Sequence, residues 1–171
     1  MELHEFFTAE KPARVAVVGI GNELNGDDGV GVQVVRRLRA RLGSRPDVLI
    51  IEAATAPENF TGPLRRFRPD LILLIDAASL DQTPGATAII DWRDTDGLGA
   101  STHTLPPSVF ARFLVEELDC RLALVGIEPA QLEFGQPLSP PVSAAAAGLV
   151  ESLAGWLFAG GPSRDTDGGP P

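Results

Sequence analysis

The sequence predicts an α/β fold, a three-layer α/β/α sandwich on a five-stranded, mostly parallel sheet with one antiparallel neighbour. Three observations predict it. Short aliphatic runs alternate with amphipathic stretches from residue 15 to residue 158, as when strands are joined by helices. The runs carry almost no polar side chain, as strands covered on both faces require. Between the third run and the fourth stands the turn pair Pro84-Gly85, with little room for a crossover helix.

The elements follow in order. Residues 1–13 read as a loose N-terminal leader, residues 14–159 as a single domain, and residues 160–171 as a disordered tail of Gly, Pro, Ser, Asp and Thr. Val15-Ala16-Val17-Val18-Gly19-Ile20 is the first strand. Residues 27–42 form a helix with Val30, Val34, Val35, Leu38 and Leu42 at helical spacing. Asp27 and Asp28 open it and Arg39 and Arg41 close it, which suits the helix dipole. Residues 48–51 are the second strand, and residues 71–75 the third, ending at Asp76. Residues 86–90 are the fourth strand, 109–118 a helix, 122–127 the fifth strand and 142–158 a long alanine-rich last helix.

Composition narrows the function. A chain of 171 residues with 44 % hydrophobic residues suits one domain with a real core. A net charge of −9 and a pI of about 4.6 argue against nucleic acid and against an anionic membrane as partners. The one cysteine, Cys120, allows neither an intramolecular disulfide nor a CxxC metal cage, and fits a reducing, cytoplasmic setting. The first residues lack a basic segment followed by an apolar one, so no signal peptide is expected. The apolar runs stop short of a membrane span.

Three places could carry chemistry, and in such a sheet they belong beyond the carboxyl ends of the strands. The first is the loop of residues 19–31, which reads GIGNELNGDDGVG. A dinucleotide fingerprint needs a third glycine where Leu24 stands, although Glu52 would serve as a ribose ligand. No Gly-Lys-Ser/Thr follows, so a P-loop is excluded, and two carboxylates oppose a phosphate. The bland reading makes Asp27 an N-cap and Asp28 a first-turn acid. The second place is Asp76, which closes five aliphatic residues and is costly there unless paired, ligating or capping amides. The third is Ser101-Thr102-His103-Thr104, whose histidine is a solvated loop residue on the bland reading. Together two carboxylates and an imidazole make an open site for a borderline divalent metal such as nickel or zinc. Other chemistries lack support: no GxSxG elbow occurs, Cys120 reads as a small buried hydrophobe, and Glu116 and Glu117 fall on a solvated helix face.

These residues also match a known family in order. Gly19-Ile20-Gly21-Asn22 with Gly26-Asp27-Asp28-Gly29-Val30-Gly31, Thr55-Ala56-Pro57-Glu58-Asn59, Ile75-Asp76-Ala77, Thr102-His103, Val125-Gly126-Ile127-Glu128-Pro129 and Leu138-Ser139 span residues 15–158. The chain resembles the hydrogenase maturation endopeptidases, in the branch serving formate-hydrogenlyase-type enzymes. The resemblance implies removal of a C-terminal extension from a nickel-iron hydrogenase large-subunit precursor, after nickel insertion and with nickel as the recognition mark. It places the metal contacts on Asp28, Asp76 and His103, with nickel carried by the substrate and no nucleotide cofactor. Asp28 is the choice for a general base, because a ligating carboxylate at a helix start can also hold a water. Gly21, Asn22 and Glu52 are expected to meet the substrate, and the protein is expected to be a monomer. Two departures stand out: Glu52-Ala53-Ala54, where the family commonly has two glycines after the acid, and Glu128, where glutamine is frequent. A nickel-binding chaperone without protease activity and a dinucleotide-dependent oxidoreductase are the competing readings.

Overall fold

A computed structural model describes residues 3–94 and 107–159. Strand β1 (Val15–Ile20) lies inside the sheet, and alternate residues of its aliphatic run bury on opposite faces. It pairs in parallel with β2 (Val48–Ala54) and with β3 (Leu71–Ala77). Strand β5 (Arg121–Ile127) adds in parallel to β3, and β4 (Thr87–Ile90) runs antiparallel along β5. The order is β2-β1-β3-β5-β4. The antiparallel neighbour exists as expected, and its partner is the fifth strand rather than the third. Glu128, next after β5, holds the connection in place: its carboxylate accepts the Leu80 N–H at 2.6 Å and the Gln82 N–H at 3.2 Å.

Helix α1 (Leu3–Thr8) opens the described chain, followed by α2 (Val30–Leu42), α3 (Thr61–Phe67), α4 (Pro107–Leu118) and α5 (Pro140–Ala159). Val15, Val17, Leu71, Leu73 and Ile75 face one layer with Val34, Leu38, Leu149 and Leu153 of α2 and α5. Ala16, Val18, Ile72 and Leu74 face the other, with Leu64 of α3 and Phe110 and Leu114 of α4. By length and composition α5 would suffice to cross a membrane, contrary to the expectation from the apolar runs. Its Val142, Ala146, Leu149, Leu153 and Leu157 are instead buried in the core.

The expectation of a loose leader is corrected for residues 3–13. Leu3, Phe6 and Phe7 recur at helical spacing, and Phe6 and Phe7 sit 5.9 and 5.5 Å from the Trp156 ring of α5. The Trp156 indole N–H donates to the Ala9 carbonyl at 2.9 Å. The buried Lys11 donates to Asp47 at 3.1 Å, and Asp47, held chiefly by Arg45, has its pKa lowered to about 2. The tail of residues 160–171 lies outside the described residues.

Strand β2 runs past its expected end to Ala54, which lies opposite Ile20 after a register shift. Ala54 has φ 50° and its carbonyl accepts the Gly21 N–H at 3.0 Å. A left-handed conformation costs an alanine roughly 1–2 kcal/mol, and glycine escapes that cost. Ala54→Gly is therefore expected to raise the melting temperature by about 1–4 °C, after allowing for the freer unfolded chain. Thermal denaturation followed by circular dichroism checks this, and a lower melting point would show that the methyl group's packing outweighs the strain.

Candidate active site

The carboxyl ends of β1 and β3 meet the start of α2. Two glycines make that approach possible. At Gly31 a Cβ would stand 2.1 Å from the Ile75 carbonyl oxygen and 2.4 Å from that of Ile20, so the first turn of α2 rests directly on the two strand ends. Gly21, at φ 122°, would place a Cβ 1.8 Å from the Asp28 carbonyl oxygen, and that same point is 3.6 Å from Oδ1 of Asp76. Gly21 thus occupies the narrow space between the backbone of one acid and the carboxylate of the other. Its role is close packing at the site.

Asp28 lies in a buried 3-10 turn, Gly26–Gly29, just ahead of α2. Its Oδ2 accepts the Asn22 N–H at 2.9 Å. Burial pushes the Asp28 carboxyl above its ordinary pKa, and the Asn22 amide only partly opposes this. Asp76 lies inside β3, one residue before its end, and is half-buried; its Oδ1 accepts the Ala77 N–H at 2.9 Å. Its pKa is pushed up to about 7, first by burial and second by the charge of Asp28. An acid whose ionisation is opposed by burial and by a neighbouring acid is relieved by a cation beside it.

Asp27 does something the sequence did not disclose. It is fully buried and makes no capping bond to its own turn. Its Oδ2 accepts the N–H groups of Ala130 and Gln131 at 2.8 and 3.1 Å and the Ser139 hydroxyl at 2.8 Å, and its Oδ1 accepts the Ser139 N–H at 2.6 Å. One carboxylate therefore clasps both ends of the loop between β5 and α5, and the expected N-cap reading is replaced by this one.

The other expected site residues divide. The Asn22 amide holds Asp28, while its side chain accepts the Leu24 N–H at 3.0 Å and closes the loop on itself. Glu52 projects among surface arginines: it pairs with Arg36 at 3.1 Å and with Arg39, and Arg36 also grips Glu23 at 2.8 Å. Its two oxygens are thus engaged by α2, which weakens both its expected substrate contact and the ribose-ligand reading. His103 lies outside the described residues. Among the described residues no group of three His, Cys, Asp or Glu side chains could hold a metal. The buried Cys120 has its thiol pKa raised by burial, which fits the inert hydrophobe expected from sequence.

The family model described as hydrogenase maturation protease (HycI) matches residues 32–156. The Escherichia coli Hydrogenase 3 maturation protease is 29 % identical over 143 residues, covering 83 % of this chain and 90 % of that protein. The crystal structure of the [NiFe] hydrogenase maturation protease HycI from Thermococcus kodakarensis superimposes with a TM-score of 0.81 at 33 % identity, covering 91 % of this chain and 98 % of the other. The solution structure of the endopeptidase HycI from Escherichia coli gives a TM-score of 0.72 at 27 % identity, covering 84 % and 91 %.

Proposed function

The chain belongs to the hydrogenase maturation protease family, and from that premise we propose that it trims a nickel-iron hydrogenase large-subunit precursor only when nickel is already in place. It is a peptidase of hydrogenase maturation. The observation that supports the nickel requirement is the pair Asp28 and Asp76, a buried and a half-buried carboxylate held next to one another at the end of the sheet. Two oxygens alone make a poor resident cage for nickel. They suit a nickel ion that arrives with ligands from the precursor, and His103 would add an imidazole to the same ion. Bound in this way, the metal would supply Lewis acidity, polarising the scissile carbonyl or lowering the pKa of an attacking water. Asp28, whose Oδ2 accepts the Asn22 amide, would hold such a water through its second oxygen. The protein acts in the cytoplasm as a monomer, without nucleotide.

Intact mass spectrometry of the precursor tests this. Nickel-loaded precursor is expected to lose its C-terminal extension on adding the protein, and nickel-free precursor to keep it. His103→Gln is expected to slow the loaded reaction at least about 10-fold while the circular dichroism spectrum stays unchanged. Equal trimming with and without nickel would refute the nickel mark.

A further inference from the structure

We propose that Leu24, Leu132 and Phe134 form an apolar docking lip beside the acidic pair, and that the lip takes an apolar side chain of the precursor near the bond to be cut. Six large apolar residues are exposed among the described residues, and these are three of them. Phe134 is 76 % exposed, Leu24 59 % and Leu132 39 %. They come from two loops more than a hundred residues apart in the chain. The Gly135 N–H donates to the Leu24 carbonyl at 2.7 Å and joins the loops at this point.

Nothing about the lip suggests a loose loop that exposes apolar groups by default. Asp27 clasps the second loop at Ala130, Gln131 and Ser139. Gln131 donates to the Pro137 carbonyl at 2.9 Å and accepts the Glu133 N–H at 3.0 Å. The Asp27 N–H donates to the Gln131 carbonyl at 3.1 Å. The loop is pinned at its root and across its middle, yet its phenylalanine stands in water. Exposed apolar groups on a rigid support mark a surface that another molecule covers. The occupant is the precursor because the lip shares its loops with the site: Leu24 stands on the loop that carries Asp28, and Asp27, which anchors the other loop, is the residue before Asp28. An acidic pair supplies charge recognition for a metal but no grip on a peptide, and an aromatic anchor supplies that grip.

The inference rests on the precursor-trimming reading, and the experiment separates the two. Affinity for the nickel-loaded precursor is measured by surface plasmon resonance, and trimming by intact mass, for wild type, Leu24→Ser, Phe134→Ser and, as control, Phe158→Ser at an exposed aromatic on α5. The lip variants are expected to lose at least tenfold in affinity and to show a raised KM, while Phe158→Ser binds as wild type does. Unchanged affinity in Leu24→Ser and Phe134→Ser would overturn the lip, whether or not wild type trims. So would a concentration-dependent dimer in light scattering that Phe134→Ser dissolves, since the patch would then face a second copy. A precursor bound but not cut by wild type would refute the protease reading, while the variants would still decide the lip. No binding by wild type would overturn both.

Discussion

Asp76→Asn is expected to yield a protein that melts higher than its parent and does not process the precursor. Asp76 has a pKa of about 7 in the fold against 3.8 for an unburied carboxyl. Between those values the folded chain keeps a proton that the unfolded chain releases, so stability falls as pH rises across that window. The gap corresponds to roughly 2–4 kcal/mol of destabilisation at pH 8, carried by desolvation and by repulsion from Asp28. Asparagine removes the charge, and its oxygen can still accept the Ala77 N–H. At pH 8 the variant should therefore melt several degrees above the parent, and near pH 4 the two should melt alike. Processing should fall at least about 100-fold, because even groups that only support a metal contact are worth 10- to 100-fold. In the parent the two pH trends oppose each other. Acid below 7 stabilises the fold and protonates the carboxylate proposed to contact the metal. Calorimetry across pH 4–8 together with intact-mass assays checks both. A variant that processes at the parent's rate would remove Asp76 from the site, and one that melts lower at pH 8 would mean that its charge is already compensated.

Legibility from sequence followed the range of the interactions. The strands and long helices were readable because aliphatic runs and helical spacing are local signals. Asp76 was readable because a carboxylate closing five aliphatic residues is anomalous on its face. What failed depended on distant partners. Helix α1 is held by Trp156, on the last helix, and no composition rule for a chain end could announce that. Helix α3 is not assigned from sequence, for a local reason: it begins Thr61-Gly62-Pro63, and a glycine and a proline weaken the helix signal although proline is tolerated in a first turn. Glu52 reads as an available acid until β2 is laid beside α2, whose Arg36 and Arg39 neutralise it. In the Asp27-Asp28 pair both residues look like helix-start acids. Only the tertiary fold separates the one that clasps a loop from the one that stands beside Asp76.

Asp27→Asn is expected to destabilise the protein as strongly as Asp76→Asn stabilises it, although the two changes are chemically identical. The carboxylate of Asp27 accepts four hydrogen bonds and is wholly buried. An amide turned either way puts an NH2 group against a backbone N–H. Turned one way it confronts Ser139, and turned the other it confronts Ala130 and Gln131. Losing charge-assisted bonds and stranding buried donors costs about 3 kcal/mol, or roughly 6–12 °C of melting temperature in a domain of this size. The damage should be local before it is global. Amides of residues 130–139 should exchange with deuterium much faster, while those of β1 and β3 keep the protection set by the remaining stability. Processing should fall too, through a higher KM, because the lip at Leu132 and Phe134 loses its support while Asp28 keeps its own amide contact with Asn22. Hydrogen exchange and KM together distinguish this from direct chemistry. If Asp27 instead worked on the substrate's metal, its asparagine variant would keep the melting temperature and the protection of residues 130–139, and lose kcat alone.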